Sequence, residues 1–107
     1  MKISGKAFEF LLFLSATPDE EFSGYELGRK LQVSSGTLYP VLVKLEAAGL
    51  VSYRWEDGDP RELGRPMRRY YKISGLGISA VSEKIRIVYP RFQPIGKLGG
   101  FVKSFSG

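Results

Sequence analysis

Hydrophobic residues recur at three- and four-residue spacing in three stretches of this chain and alternate with polar ones in two more. From Ser4 to Ser15, Ala7, Phe8, Leu11, Leu12 and Leu14 fall mostly at helical spacing behind Ser4 as an N-cap, which predicts a buried first helix. Thr17, Pro18 and the acidic run Asp19, Glu20, Glu21 break it, because proline cannot continue a helix and restrains its predecessor. Ser23 followed three residues later by Glu26 is a capping-box pair, so a short second helix is expected to reach about Leu31. Gln32, Val33 and Ser34 leave room only for a tight turn. A third helix then runs from about Ser34 to Ala48, capped by Ser34 or Ser35, burying Leu38, Val41, Leu42 and Leu45 and stopping at Gly49. Pro40 lies too deep for the first turn and is expected to bend or loosen the helix start.

Leu50 to Trp55 and Met67 to Ile73 alternate like half-buried strands, and Asp57, Gly58, Asp59, Pro60, Gly64 and Pro66 between them predict a long hairpin loop. After Ser74, Ile78, Val81, Ile85 and Val88 mark a fourth helix that Pro90 ends. Beyond it, glycines and prolines punctuate an apolar tail that has no period. The order helix, helix, tight turn, helix, hairpin, helix is that of a winged helix-turn-helix, mainly α with a two-stranded β wing, an α+β chain with one C-terminal helix. Residues 1–74 would form the winged domain, and residues 75–107 a helix and tail suited to dimerisation.

Composition narrows the chemistry. The 107 residues include neither histidine nor cysteine, which removes disulfides, Cys/His metal sites, thiolate nucleophiles and the commonest general base, so no catalysis, metal or cofactor is expected. The carboxylates are scattered through turns with no nucleophile beside them. No apolar run is long enough to span a bilayer and no signal segment is visible, making a cytoplasmic location the default and a membrane role unexpected. The net charge is +5 and unevenly placed: seven Lys/Arg against ten Asp/Glu up to Leu63, nine against one from Gly64 onward. A polyanionic partner wants such asymmetry, although a generically basic soluble protein has it too.

The third helix sends Ser35, Thr37, Tyr39, Pro40 and Lys44 to the face opposite its leucines, and its N-terminal end suits phosphate or entry into a DNA groove. The hairpin offers Arg65, Arg68, Arg69 and Lys72 within eight residues. Each has a plainer reading. Ser34 and Ser35 are caps first, Tyr39 packs equally well beneath the second helix, and one of the adjacent Arg68 and Arg69 can pair with Glu56, Asp57 or Glu62. Trp55, Tyr70 and Tyr71 read as wing and core packing.

The strings Ser-Gly-Tyr-Glu-Leu (Ser23 to Leu27), Ser-Gly-Thr-Leu-Tyr-Pro-Val-Leu-Val-Lys-Leu-Glu-Ala-Ala-Gly-Leu-Val (Ser35 to Val51), Trp55, and Gly-Arg-Pro-Met-Arg-Arg-Tyr-Tyr-Lys-Ile-Ser (Gly64 to Ser74) occur in an order that resembles the PadR family of transcriptional regulators. The resemblance spans about residues 7 to 80. It implies a homodimeric winged-helix repressor on a palindromic operator in double-stranded DNA, often released by a small-molecule effector. It also implies that Ser35, Gly36, Thr37, Tyr39, Pro40 and Lys44 enter the major groove while Arg65, Arg68 and Arg69 meet the backbone or minor groove. Two regions depart from the pattern. The Thr17 to Phe22 loop is longer and more acidic, and the long C-terminal dimerisation helix is replaced by about 14 periodic residues and the broken tail. The first helix, the fourth helix and Phe92, Phe101 and Phe105 are therefore the expected dimer interface. The rival expectation is a winged-helix module that grips a protein partner instead of DNA.

Overall fold

A computed structural model describes residues 3–88, 92–94 and 101–103, the last two segments as backbone strands. Helix α1 (Gly5–Ser15) is capped by Ser4, whose Oγ accepts from the Ala7 N–H. Its buried stripe is Ala7, Phe10, Leu11 and Leu14, so the spacing i, i+3, i+4, i+7 starts from Ala7, includes Phe10, and leaves the expected Leu12 exposed. The helix is apolar nearly all round, and only packing selects the face.

Strand β1 (Phe22–Ser23) leads directly into α2 (Gly24–Leu31). Both halves of the capping box form: Ser23 Oγ accepts from Glu26 N–H and Glu26 Oε1 accepts from Ser23 N–H. Gln32 then adopts a left-handed conformation, φ 55°, and Val33 N–H reaches back to the Gly28 carbonyl, closing the tight turn. Helix α3 (Ser35–Ala47) follows, with Leu38, Leu42 and Leu45 buried as expected. The helix is continuous through Pro40. Gly49 at φ 75° supplies the left-handed residue after its end, with Gly49 N–H on the Glu46 carbonyl and Leu50 N–H on that of Leu45.

Strands β2 (Val51–Trp55) and β3 (Arg69–Ile73) form the wing hairpin in the register Val51↔Ile73 to Trp55↔Arg69. The sheet has three strands rather than two, because β1 adds to the outer edge of β3, pairing Phe22 with Tyr71 and giving the order β1-β3-β2. Within the hairpin loop, α4 (Pro60–Leu63) forms a single turn: Asp59 caps it, Pro60 starts it and Gly64, φ 69°, ends it.

Helix α5 (Gly75–Val88) lies close enough to the sheet that a Cβ at Gly77 would collide with the Leu50 carbonyl. Ser74 Oγ accepts from Gly77 N–H, the capping role expected of it. Val81 and Ile85 join the core that α1, α2, α3 and the sheet share, whereas Val88 is exposed. The tail, in which no periodic element was expected, pairs β4 (Phe92–Pro94) with β5 (Phe101–Lys103), Phe92 opposite Lys103. Phe105 lies outside the described residues, as do the side chains of Phe92 and Phe101. Among the described residues no helix is long and apolar enough to cross a membrane.

Candidate nucleic-acid interface

Every residue expected on the reading face of α3 is exposed: Ser34, Ser35, Gly36, Thr37, Tyr39, Pro40 and Lys44. The leucines at i, i+4, i+7 bury the opposite stripe and so turn these positions outward. Ser34 occupies the N-cap position but makes no side-chain cap bond. Tyr39 packs beside α2 and still keeps exposed surface. It is 46 % exposed, yet it lies so close to α2 that a Cβ at Gly24 would sit 2.6 Å from its hydroxyl oxygen. Gly24 therefore sets how near the two helices of the motif approach.

Val43, not singled out from the sequence, is 59 % exposed in the middle of this face. The available signal was spacing, since Gly36, Tyr39, Pro40 and Val43 stand at i, i+3, i+4 and i+7. An apolar side chain there has no core to fill.

The wing arginines have diverged in role. Arg65 Nη1 and Nη2 donate to Glu56 Oε1 and Oε2 at 2.7 and 2.8 Å, a bidentate pair. Glu56 also accepts from Arg68 N–H at 3.3 Å and from the Tyr70 hydroxyl at 3.4 Å. These donors, Arg65 first and then the Arg68 amide, hold its carboxyl down at about 2. Arg69 Nη2 donates to Glu46 on α3 at 2.8 Å, while its guanidinium carbon lies 3.5 Å from the Tyr53 ring centroid and 5.5 Å from that of Trp55. Its Nε is buried without an oxygen or nitrogen acceptor, so the Tyr53 ring face is what the guanidinium meets. Beneath it Tyr71 is buried, and burial pushes its hydroxyl pKa up. Arg54 is tied to Glu21 of the acidic loop at 2.7 Å and stands over Tyr70. Arg68, in contrast, has no carboxylate within ion-pair distance among the described residues; its guanidinium lies 5.7 Å from the Tyr25 ring of α2.

Some of these side chains line an open cleft of about 450 Å³ between the start of α2, the Tyr39 side of α3 and the wing. Tyr25, Tyr39 and Trp55 supply aromatic walls, and Arg65, Arg68 and Arg69 supply positive charge. Of the residues picked out from the sequence, Tyr39 of α3 and Arg65, Arg68 and Arg69 of the wing are thus brought to one cleft.

Comparison with solved structures finds the same architecture elsewhere. A PadR-like transcription factor from Bacteroides fragilis is 28 % identical with a TM-score of 0.64, over 79 % of this chain and 84 % of that one. A PadR family transcriptional regulator from Eggerthella lenta shares 24 % identity over 79 % of this chain and 75 % of its own, with a TM-score of 0.63. MepR of Staphylococcus aureus, in a structure of its DNA complex, superposes with a TM-score of 0.65 at 20 % identity, covering 82 % of this chain. The chain spans little more than half of MepR, 59 % in that complex. No curated protein matches the sequence. The sequence profile of the transcriptional regulator PadR-like family matches residues 15–83, well over half the chain, from the end of α1 into α5. With the winged architecture and these strings of residues in place, the chain belongs to the PadR-like family of transcriptional regulators.

Proposed function

We propose that this regulator binds double-stranded DNA as a homodimer, reading a palindromic operator through α3 and meeting the sugar-phosphate backbone with its wing, and that it acts as a repressor. The observation that carries the reading is the meeting, at one cleft, of Tyr39 from the exposed face of α3 with Arg68 of the wing, which has no carboxylate within ion-pair distance among the described residues. Such a face fits the major groove, where Thr37, Tyr39 and Lys44 have donors and acceptors to meet and Val43 has thymine methyls. Ser34, Ser35 and Gly36 at the helix start suit a phosphate, and Pro40 faces the groove with Thr37 and Tyr39. Arg65 and Arg69, each already paired with a glutamate, contribute less net charge to this surface than Arg68. The fold likeness to MepR, whose structure is a DNA complex, supports DNA as the partner.

The dimer is proposed to form through α1, α5 and the tail. Leu12, Leu76, Ile87 and Val88 leave apolar surface exposed on those two helices, which a partner subunit would cover. Release by a small-molecule effector completes the reading on the family resemblance alone.

Fluorescence anisotropy against labelled duplexes tests it. Affinity should fall steeply between about 50 and 200 mM salt, because each phosphate contact releases counterions. Selection from a random duplex pool should return a palindrome, with preferences altered by Thr37→Ala or Tyr39→Ala. Absence of binding to any duplex at about 50 mM salt would refute the assignment in favour of a protein partner.

A further inference from the structure

We propose that Val43 is the specificity-determining residue at the middle of α3, and that it reads the 5-methyl group of a pyrimidine, telling thymine from uracil and 5-methylcytosine from cytosine. This role rests on the DNA-binding reading above and names the base chemistry that α3 meets. Val43 is 59 % exposed, on a helix whose share of the core is supplied without it by Leu38, Leu42 and Leu45. At about 100° per residue, the direction opposite those leucines falls on Gly36, Pro40, Val43 and Ala47, all of them exposed. No side chain on that line carries a hydrogen-bonding atom, and Val43 alone projects branched methyl groups from it.

The polar side chains stand to either side of the line. Glu46 is held by Arg69 of the wing at 2.8 Å. Tyr39 has its hydroxyl oxygen at the start of α2, 2.6 Å from where a Cβ on Gly24 would sit. Thr37 and Lys44, seven residues apart, lie together on the other flank. A helix set into the major groove along this line meets base edges with hydrocarbon at its centre and hydrogen-bonding groups at its margins. In that groove the apolar feature of a base pair is the thymine methyl, while the remaining edges are donors and acceptors. Valine laid on a donor or acceptor strips it of water and returns no hydrogen bond, so the contact is costly there and favourable on a methyl. A β-branched side chain in a helix keeps one strongly preferred rotamer, so the Val43 methyls are presented at one place before DNA arrives.

The test starts from the duplex that selection from a random pool returns, made with thymine and again with uracil at one thymine position at a time. The two forms differ only in a methyl group, and binding of the full chain is read by fluorescence anisotropy. Uracil at the position Val43 meets should weaken binding about fourfold, the worth of one buried carbon, and about sixteenfold when both half-sites carry it. At the same position 5-methylcytosine should bind more tightly than cytosine by a similar ratio. The salt slope should be equal for both forms, because no phosphate has changed. Val43→Ala should bring the thymine-to-uracil ratio close to one, and Val43→Thr, which keeps one methyl, should retain part of it. Val43 is exposed, so neither substitution should lower the melting temperature, which separates lost reading from lost fold. Equal affinity for the two forms at every position overturns the methyl reading and leaves the DNA-binding reading standing. A ratio that survives intact in Val43→Ala also overturns it, by assigning the effect to the duplex or to another side chain. Absence of wild-type binding to any duplex overturns both.

Discussion

Arg69 was expected to face DNA, yet its surroundings describe a brace between the wing and α3, and the two roles make opposite predictions. Its guanidinium bonds Glu46 near the end of α3 and lies on Tyr53 of β2, so one side chain joins α3, β2 and β3. The side chains of Arg69 and Glu46 are 28 % and 30 % exposed, which places their pair near the upper end of the surface range, about 0.5–1 kcal/mol. The partly desolvated stack on Tyr53 adds about 1 kcal/mol. Arg69→Ala should therefore cost about 2 kcal/mol, roughly 8–16 °C in melting temperature for a domain of this size. Glu46→Gln, which keeps the shape and removes the charge, should cost about 0.5–1 kcal/mol, and the double mutant should show a coupling of similar size. Arg69→Lys keeps the charge and loses the planar stack, so it should recover less than half of the loss.

Thermal unfolding followed by circular dichroism gives these numbers, and a salt titration of DNA binding gives the complementary one. A brace predicts a lowered melting temperature in Arg69→Ala with a nearly unchanged salt slope below the transition. If Arg69→Ala melted like the wild type while its slope fell by about 0.9, Arg69 would be a phosphate contact and the bracing argument would be wrong.

The Glu56 carboxyl, held at about 2 chiefly by Arg65, contributes stability that is complete above the ordinary carboxylate value of 4.5 and disappears as pH falls toward about 2. The difference in melting temperature between wild type and Glu56→Gln should accordingly be constant from pH 7 to 5 and shrink below that; a difference that persisted at pH 2 would exclude Glu56 ionisation as its source. Gly77→Ala should destabilise the fold or prevent its purification, because the new Cβ meets the Leu50 carbonyl and backbone must move; unchanged thermal unfolding would show that α5 sits farther from the sheet.

The parts of this fold that could be read from sequence are those whose cause is local. Ser23 and Glu26 are three residues apart, Gly49 directly follows its helix, and Ser74 caps the turn that contains Gly77, so each interaction is written within one window. The α3 face was legible for the same reason, because the buried leucines recur within the helix they orient. Strand β1 was not, since two residues carry no period and Phe22 is a strand residue only because Tyr71 is opposite it. Helix α4 had every terminal signal, Asp59, Pro60 and Gly64, but a single turn is shorter than any repeat.

The wing charges show where such reading ends. Arg65, Arg68 and Arg69 look equivalent within five residues of sequence, and strand alternation alone separates only neighbours. Their roles diverge because of acids at other distances: Glu56 nine residues before Arg65, Glu46 twenty-three before Arg69, and none within ion-pair reach of Arg68 among the described residues. A basic cluster therefore overstates the charge offered to DNA. Pairing sets Arg65 and Arg69 apart from Arg68 and Lys72, which have no carboxylate within 4.0 Å among the described residues. If Arg68 carries the wing's backbone contact, the salt slope of DNA binding should respond more to Arg68→Ala than to Arg65→Ala or Arg69→Ala. The reverse order would show that pairing with glutamate does not withhold Arg65 and Arg69 from DNA.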